Sequence, residues 1–266
     1  MLASESSALR APLEDVMREA GEIARATARS AFKHWTKGDH SPVSEADIAV
    51  NEFLHDRLMA LVPGTGWLSE ETERLPDSAT PLVWIVDPID GTRSYISGRA
   101  DWSVSVALAD KGRPIVASVY VPVPDEMFLV SRDAGATLNG TSIKVRDGDA
   151  LSGAKLAGPR RYLDRFSDLA SGTLPQAKVY SLALRMARVA QGELDVAFAG
   201  AGAHDWDLAA ADLLVHEAGG MLSDFAGRQP IYNNNSQAIQ AALVAAGPLR
   251  HSTLIGLARD RGIDLT

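Results

Sequence analysis

The hydrophobic positions of the chain first follow a helical period. Apolar side chains recur at spacings of three and four residues from Leu9 to about Phe32, and again from Ser44 to the residue before Pro63. Neither stretch contains a strand-like run of β-branched residues. This spacing places the apolar side chains on one face of an α-helix. We therefore predict two helices in the first quarter of the chain.

The period shortens to that of β-strands after residue 80. The stretches LVWIVD, SVSVALA, IVASVYV and EMFLVS are short, rich in β-branched residues and bounded by turn residues such as those of DKGRP. We predict strands here, with SVSVALA and IVASVYV joined as an antiparallel hairpin. The apolar run of the first strand ends in DPIDG, where Asp87 and Asp90 follow directly on hydrophobic residues.

Beyond residue 146, short apolar stretches alternate with helical patterns. We predict strands at KLAG, AKVY, LDVAFA, GMLSDF and QAALVAA, and helices over 160–169, 182–190, 208–217 and 249–259. Such alternation is typical of a parallel or mixed sheet covered by helices. The sequence thus predicts an α+β half over residues 1–146 and an α/β half over residues 147–266.

Composition narrows the kind of function. The 266 residues are 46% hydrophobic and 23% charged, with a net charge of −8 and no cysteine. Their number allows a sizeable core, whereas the acidic balance argues against nucleic-acid binding, which needs clustered Lys and Arg. Without thiolates, a metal would be held by oxygen or imidazole. No signal-peptide pattern opens the chain and no apolar run reaches the ~18 residues of a membrane span, so we expect a cytoplasmic protein without a membrane partner.

Acidic residues recur where predicted elements begin or end. They are Asp47, Glu70, Glu71, Asp87, Asp90, Asp205 and Asp207. Each has an ordinary structural explanation: turn chemistry for DPIDG, a solvated surface for the glutamates, and helix capping for the others, including a capping box of Ser44 with Asp47. Taken together, several carboxylates suit a hard cation such as Mg²⁺, and a pair of such ions can activate water in phosphoryl transfer.

Three blocks of the sequence resemble the inositol monophosphatase superfamily of magnesium-dependent, lithium-sensitive phosphatases. The blocks are SPVSEADIAVNEFL with SEE, WIVDPIDGT, and WDLAAADLLVHEAGG, and their order and separation match over nearly the whole chain. The resemblance implies a layered αβαβα sandwich, usually dimeric, that hydrolyses a small phosphorylated substrate. We therefore expect a homodimer that uses two or three Mg²⁺ ions.

The resemblance also implies roles for individual residues. The metal ligands would be Glu70, Asp87, Asp90, Asp207 and the Ile89 carbonyl oxygen. Asp47 and Thr92 would orient and deprotonate the nucleophilic water with help from Glu70, and the Gly91 and Thr92 amides would hold the phosphate. Asp90 and Asp207 would also face the substrate. In-line attack of this kind depends more on positioning than on covalent chemistry.

The resemblance leaves several substrates open. Inositol-specific members carry a glutamate shortly before the WD aspartate, but residues 197–204 contain no acidic residue, which weakens an inositol preference. Arg93 follows DGT where bisphosphate nucleotidases often have lysine, and Arg185 falls near a lysine of their SSLKF stretch, which favours a substrate with a second phosphate. Alternatively, Arg185 is a solvated helical arginine and Arg93 pairs with a nearby carboxylate. Histidinol phosphate is a further candidate.

Other classes fit less well. DWDLA imitates the aspartyl-nucleophile motif of haloacid-dehalogenase phosphatases, but it comes late in the chain and leads into a helix instead of following an early strand. The sequence has no Walker loop, which argues against an NTPase. We expect His204 and His216 to be capping or surface residues. A non-catalytic regulator on the same fold is the alternative from a different class, although the intact acid set argues against it.

Overall fold

The computed structural model describes residues 3–38, 42–72, 80–166, 174–176, 178–233 and 240–260. Its helices are α1 (Ala3–Ala8), α2 (Arg10–Ala28), α3 (Glu45–Leu61), α4 (Thr92–Ile96), α5 (Arg160–Phe166), α6 (Leu182–Ala190), α7 (Asp205–Glu217) and α8 (Pro248–Asp260). Its strands are β1 (His34–Thr36), β2 (Pro42–Ser44), β3 (Gly66–Ser69), β4 (Leu82–Asp90), β5 (Ser103–Asp110), β6 (Arg113–Val121), β7 (Glu126–Ser131), β8 (Ala136–Leu138), β9 (Thr141–Ser142), β10 (Lys155–Ala157), β11 (Leu174–Pro175), β12 (Val196–Ala199), β13 (Met221–Asp224) and β14 (Leu243–Ala246).

The strands form two large sheets and one small hairpin. Strands β3 to β9 lie side by side in chain order, and only the β3–β4 pair among them is parallel. The second sheet has the order β11-β10-β12-β14-β13, parallel between β11, β10 and β12 and antiparallel beyond. Strands β1 and β2 pair as a separate antiparallel hairpin. The predicted β5–β6 hairpin and the mixed sheet are confirmed.

The burial of strand β4 explains why its sequence does not alternate between apolar and polar residues. Val83 and Ile85 lie in a hydrophobic core shared with α6 and α7, whereas Trp84 and Val86 lie in a second core formed with α2 and α3. Both faces of the strand are therefore buried, and both demand apolar side chains. Only at its carboxyl end, at Asp87, does the strand turn polar.

The layers follow from these cores. Helices α2 and α3 cover one face of the seven-stranded sheet, and α6 and α7 fill the space between the two sheets. On the outer face of the five-stranded sheet, Phe198 and Val244 pack against Phe166 of α5 and Leu254 of α8. The predicted αβαβα sandwich is thus confirmed. The division at residue 146 stays a prediction, because the core around α6 and α7 is shared by both sheets.

One local prediction needs correction. Residues 178–180 of AKVY do not form a strand, because the Tyr180 amide donates to Asp101 Oδ2 at 3.0 Å and the chain then turns into α6; residue 177 lies outside the described residues. The helix predicted over 160–169 is observed as α5 from Arg160 to Phe166, and residues 167–169 lie outside the described residues. Among the helices described, none is both long and apolar enough to span a membrane.

Candidate active site

Three carboxylates from two elements meet at the carboxyl end of β4. Oxygen atoms of Asp87, Asp90 and Asp207 all lie within 4.8 Å of one another, and we call these residues the acidic cluster. In a regular strand, side chains three positions apart point to opposite faces. The pairing of β4 with β5 shifts register between Asp87 and Asp90, and this irregularity lets both face α7, where Asp207 lies in the first turn.

Burial makes the ionised forms of the three carboxylates in the acidic cluster unfavourable. Burial is the main cause that raises the pKa of Asp87, Asp90 and Asp207, and the charges of neighbouring acids add to it at Asp87 and Asp207. Such a cluster is unfavourable unless protons or a cation neutralise it. A donor set made only of carboxylate oxygens fits a hard divalent cation such as Mg²⁺.

The amino terminus of α6 fixes the orientation of Asp90. Asp90 Oδ2 accepts hydrogen bonds from Ser181 Oγ and the Ala183 amide, both at 2.6 Å, and Oδ1 accepts one from the Leu182 amide at 3.1 Å. First-turn amides of a helix have no partner within the helix, so Asp90 stabilises this end of α6 while α6 stabilises its charge. Sequence analysis missed Ser181, whose signal is that of an N-cap serine before an apolar helix.

Asp47 serves two partners with its two carboxylate oxygens. Oδ2 accepts hydrogen bonds from the amide and hydroxyl of Ser44, at 2.8 and 2.6 Å, which closes the predicted capping box of α3. Oδ1 accepts a hydrogen bond from Thr92 Oγ1 at 3.2 Å. Burial raises the pKa of Asp47 to about 6, against the opposing effect of the Ser44 hydrogen bonds. Helix capping and pairing with Thr92 therefore coexist.

Glu70 lies beside the acidic cluster but is turned toward a lysine. It follows β3, and its amide donates to the Val86 carbonyl at 3.2 Å. Lys37 Nζ lies 3.4 Å from Glu70 Oε1 and 2.6 Å from Glu71 Oε1. Burial raises the pKa of Glu70 to about 7, and the charge of Lys37 opposes that rise. Glu71, with a side chain only 3% exposed, is not the solvated surface acid of the ordinary explanation.

Gly91 connects the acidic cluster to α4 in a conformation that favours glycine. Its φ is +93°, in the left-handed region. A Cβ atom here would also lie 3.1 Å from the Ser181 amide nitrogen and 3.3 Å from the Asp101 carbonyl oxygen. The tight approach lets Thr92 begin α4 with its side chain on Asp47, while Thr92 Oγ1 lies 3.1 Å from the Ile89 carbonyl oxygen.

The two arginines singled out in the sequence line different cavities. Arg185 is half-buried, donates to the carbonyls of Phe198 and Val179 at 3.1 and 2.7 Å, and lines a cavity of about 700 Å³. It is therefore not a freely solvated helical arginine. Arg93 is exposed and lines a cavity of about 430 Å³, and its guanidinium pairs with no carboxylate within the part of the chain that is described. Lys178 lines both cavities.

Asp205 and His204 have structural roles at the amino end of α7. Asp205 accepts hydrogen bonds from the Asn233 amide and the Gln240 side chain, both at 2.6 Å, and so ties these two residues to the first turn of α7. The His204 ring stacks on Trp206 with 4.5 Å between ring centroids, and His204 is the N-cap of α7. His204 is thus a capping residue, as predicted.

His216 is expected to make the stability of the protein depend on pH. Burial lowers its pKa, but the hydrogen bond and charge of Asp212, 2.8 Å away, outweigh burial and raise the pKa above the ordinary 6.5. A raised histidine pKa contributes stability below the unfolded value, and that contribution is lost as pH rises through the folded value. Relative to His216→Gln, the Tm of the unsubstituted protein should fall by roughly 2 °C between pH 6 and pH 9, measured by calorimetry. A difference that does not change with pH would contradict this assignment.

Comparison with protein-family models gives a match to the inositol monophosphatase family over residues 5–260. A curated relative named Nus factor SuhB, from Escherichia coli strain K12, is 33% identical over 200 residues, which cover 72% of this chain and 74% of the relative. A second, named inositol-1-monophosphatase, from Mesorhizobium japonicum, is 32% identical over 224 residues, which cover 79% and 84%.

Solved structures have the same fold. The extragenic suppressor protein suhB from Bartonella henselae superposes with a TM-score of 0.83 at 26% identity, covering 94% of this chain and 97% of its own. An IMPase/NADP phosphatase complexed with NADP and Ca²⁺ superposes with a TM-score of 0.84 at 19% identity, covering 98% of each chain, which shows the fold alone. The chain therefore belongs to the inositol monophosphatase family, a family of metal-dependent phosphatases that act on small phosphorylated substrates.

Proposed function

We propose that this protein is a Mg²⁺-dependent phosphomonoesterase that uses water to hydrolyse a small phosphorylated metabolite. The observation that carries the proposal is the acidic cluster of Asp87, Asp90 and Asp207 at the same end of β4 as the Asp47–Thr92 pair. The first set provides ligands for cations, and the second provides a hydroxyl and a carboxylate that can handle a proton. Both are needed to attack a phosphate monoester.

The acidic cluster fits bound Mg²⁺ on its chemistry. Asp87, Asp90 and Asp207 would hold the ions together with Glu70 and the Ile89 carbonyl oxygen, and the resemblance implies two or three ions. When bound, the cations neutralise the phosphate, acidify a water and stabilise the leaving oxygen. Glu70 would have to exchange Lys37 for a cation, because its Oε1 lies 3.4 Å from Lys37 Nζ in the structure.

Asp47 and Thr92 would together take up a proton from the attacking water. Both Ser44 donors bind Asp47 Oδ2, so Oδ1 is left for the Thr92 hydroxyl. The one hydroxyl proton of Thr92 has two acceptors within reach, Asp47 Oδ1 at 3.2 Å and the Ile89 carbonyl oxygen at 3.1 Å. When it is donated to Asp47, the Thr92 oxygen can accept a hydrogen bond from the attacking water. A pKa of about 6 places Asp47 closer to the pH at which a base works efficiently than an exposed aspartate would be.

The Gly91 and Thr92 amides would hold the phosphate. Gly91 is the N-cap of α4 and Thr92 is its first residue. Amides at such positions have no acceptor within the helix and point out of its amino end. Attack on the phosphorus then depends on how rigidly this turn is held, and the close packing of Gly91 against Ser181 and Asp101 supplies that rigidity.

The substrate candidates are inositol monophosphate, a 3′(2′),5′-bisphosphate nucleotide and histidinol phosphate. The name of the Mesorhizobium relative supports the first, and the absence of an acidic residue from 197–204 opposes it.

Release of phosphate from inositol 1-phosphate, adenosine 3′,5′-bisphosphate and histidinol phosphate, each with Mg²⁺ and with EDTA, tests the proposal. Full activity in EDTA would contradict it. Lithium inhibition and a homodimer, both implied by the resemblance, are checked by Li⁺ titration and sedimentation.

A non-catalytic regulatory binding protein is the second candidate function. The curated relatives named Nus factor SuhB favour it. The two candidates are separated by the same assay, because a regulator without catalysis would release no phosphate from any of the three substrates despite binding Mg²⁺.

A further inference from the structure

We propose that Asp101 is a positioning residue that fixes the turn of Gly91 and Thr92 relative to the acidic cluster. This inference rests on the proposed function, which assigns the reacting phosphate to the amides of that turn. The side chain of Asp101 is 18% exposed and accepts hydrogen bonds from two segments that lead into the site. One segment is α4, and the other is the stretch of chain immediately before α6.

The end of α4 brings Asp101 back against that helix. Gly98 follows the helix with a φ of +67°, and the Arg99 amide donates to the Ser94 carbonyl at 3.0 Å. These are features of a Schellman motif, which ends a helix and reverses the chain. The Ser94 hydroxyl then donates to Asp101 Oδ1. Because Ser94 lies two residues after Thr92, this bond holds the short helix that begins with the phosphate-binding turn.

The other carboxylate oxygen of Asp101 holds the chain that leads into α6. The Tyr180 amide donates to Oδ2 at 3.0 Å, and the Ser181 amide donates to the Asp101 carbonyl oxygen at 3.3 Å. The Ser181 hydroxyl in turn donates to Asp90 Oδ2 at 2.6 Å. Asp101 therefore connects Ser94 of α4 with Asp90 of the acidic cluster by a route other than the backbone of β4.

Arg99 and Tyr180 make this contact firmer than an ordinary surface ion pair. Arg99 Nε lies 2.9 Å from Asp101 Oδ1, and the Arg99 guanidinium carbon lies 5.1 Å from the centroid of the Tyr180 ring. Burial disfavours the ionised form of Asp101, but the hydrogen bonds from Arg99, Ser94 and the Tyr180 amide outweigh burial and lower its pKa. Hydrogen bonds to an ionised acceptor are stronger than neutral ones, so the charge of Asp101 holds its donors in place.

The phosphate-binding turn packs directly against this contact. A Cβ atom on Gly91 would lie 3.3 Å from the Asp101 carbonyl oxygen and 3.1 Å from the Ser181 amide nitrogen. The turn therefore moves with Asp101 and Ser181 if either shifts. In-line attack needs the phosphate and the activated water in a fixed geometry, and a displacement of about 1 Å can lower the rate about a hundredfold.

Asp101→Ala tests the proposal. At saturating Mg²⁺ and well below the Tm of every variant, kcat should fall about 10 to 100-fold. The affinity for inorganic phosphate, measured by calorimetry in Mg²⁺, should fall about tenfold. The Mg²⁺-induced rise in Tm should persist, because the three carboxylates of the acidic cluster remain.

Asp224→Ala is the matched control. Asp224 lies at the end of β13 and accepts hydrogen bonds from the amides of Ala226 and Arg228 and from Arg228 Nε, at 2.9, 2.8 and 2.7 Å. Like Asp101 it binds an arginine and backbone amides, but its side-chain hydrogen bonds stay within its own turn. Asp224→Ala should lower the Tm by several degrees, as Asp101→Ala does, yet leave kcat and phosphate affinity unchanged. Unchanged kcat in Asp101→Ala, or an equal loss in both variants, would overturn the proposal.

Ser94→Ala decides the matter if Asp101→Ala does not fold. It removes only the α4 side of the contact and should lower kcat and phosphate affinity about tenfold. Ser118→Ala is its control, since it removes a buried hydroxyl that donates to the Phe128 carbonyl at 2.9 Å in β7, and it should leave both quantities unchanged. If Asp101→Ala folds, adding Ser94→Ala should lower kcat little further, because both act through one contact. Additive losses would overturn the proposal.

The same variants separate this proposal from the proposed function. If the unsubstituted protein releases phosphate from none of the three substrates, the proposed function fails, and binding of inorganic phosphate in Mg²⁺ decides the role of Asp101. Weaker binding in Asp101→Ala and Ser94→Ala, but not in Asp224→Ala, would support it. Absent binding, or equal affinity in all variants, would overturn it.

Discussion

Asp87→Asn is expected to lower Mg²⁺-dependent phosphate release from a small phosphomonoester by about a hundredfold or more. Asp87 lies within 4.8 Å of both other carboxylates of the acidic cluster, so its charge is central to any bound cation. Asparagine has nearly the same shape as aspartate but carries no charge, so the substitution keeps the shape of the site and removes that charge. The measurement is kcat/KM at fixed substrate over a range of Mg²⁺ concentrations.

The same substitution should stabilise the metal-free protein. Neighbouring charges and burial raise the pKa of Asp87, so the ionised acidic cluster opposes folding at neutral pH. In EDTA, the Tm of Asp87→Asn should therefore equal or exceed that of the unsubstituted protein, whereas the rise in Tm on adding Mg²⁺ should be largely lost.

Asp205→Asn is a matched control for Asp87→Asn. Asp205 is a buried aspartate of α7 that holds the Asn233 amide and the Gln240 side chain and lies outside the acidic cluster. Its replacement should lower stability by about 1 to 3 kcal/mol with and without Mg²⁺, while the Mg²⁺-induced rise in Tm persists. If the two variants behaved alike, the acidic cluster would be a structural feature and not a metal site.

Thr92→Val is expected to lower kcat by about 10² to 10⁴-fold while leaving the Mg²⁺-induced rise in Tm in place. The substitution keeps the Thr92 amide and the shape of the side chain but removes the hydroxyl that lies 3.2 Å from Asp47 Oδ1. The proton of the attacking water would lose its path to the carboxylate. The measurement is kcat at saturating Mg²⁺, paired with thermal unfolding.

Thr92→Ser provides the control for this prediction, because it restores the hydroxyl without the methyl group. It should retain most of the activity that Thr92→Val loses. If kcat were unchanged in Thr92→Val, the Thr92 hydroxyl would have no role in catalysis. Loss of the Mg²⁺-induced rise in Tm would instead make Thr92 part of the metal site.

Local sequence pattern predicts the elements that have one strong period. Helices α2 and α3 follow from apolar spacing, and β4 follows from an apolar run buried on both faces. Pattern fails at residues 178–180, where apolar and β-branched composition suggests a strand but a hydrogen bond to Asp101 fixes a loop. That hydrogen bond joins residues 79 positions apart in the sequence, so the residues around Tyr180 do not predict it.

The candidate site likewise has residues that the sequence identifies and contacts that it does not predict. The family resemblance identifies Asp87, Asp90 and Asp207, but spacing alone would place the first two on opposite faces of β4, and only the register shift reconciles them. Which residue pairs with each acid of the site does not follow from the sequence, even though Ser181 has the local signal of an N-cap serine. Ser181 reaches Asp90 across 91 residues, and Lys37 reaches Glu70 across 33. Both contacts depend on the packing of separate elements, which a sequence pattern does not encode.

The most direct test of the central claim is anomalous diffraction from crystals grown with Mn²⁺ in place of Mg²⁺. The account predicts an anomalous peak at the carboxyl end of β4, about 2.1 Å from carboxylate oxygens of Asp87, Asp90 and Asp207. Crystals that hold Mn²⁺ at a concentration supporting phosphate release, yet show no peak at the acidic cluster, would contradict it.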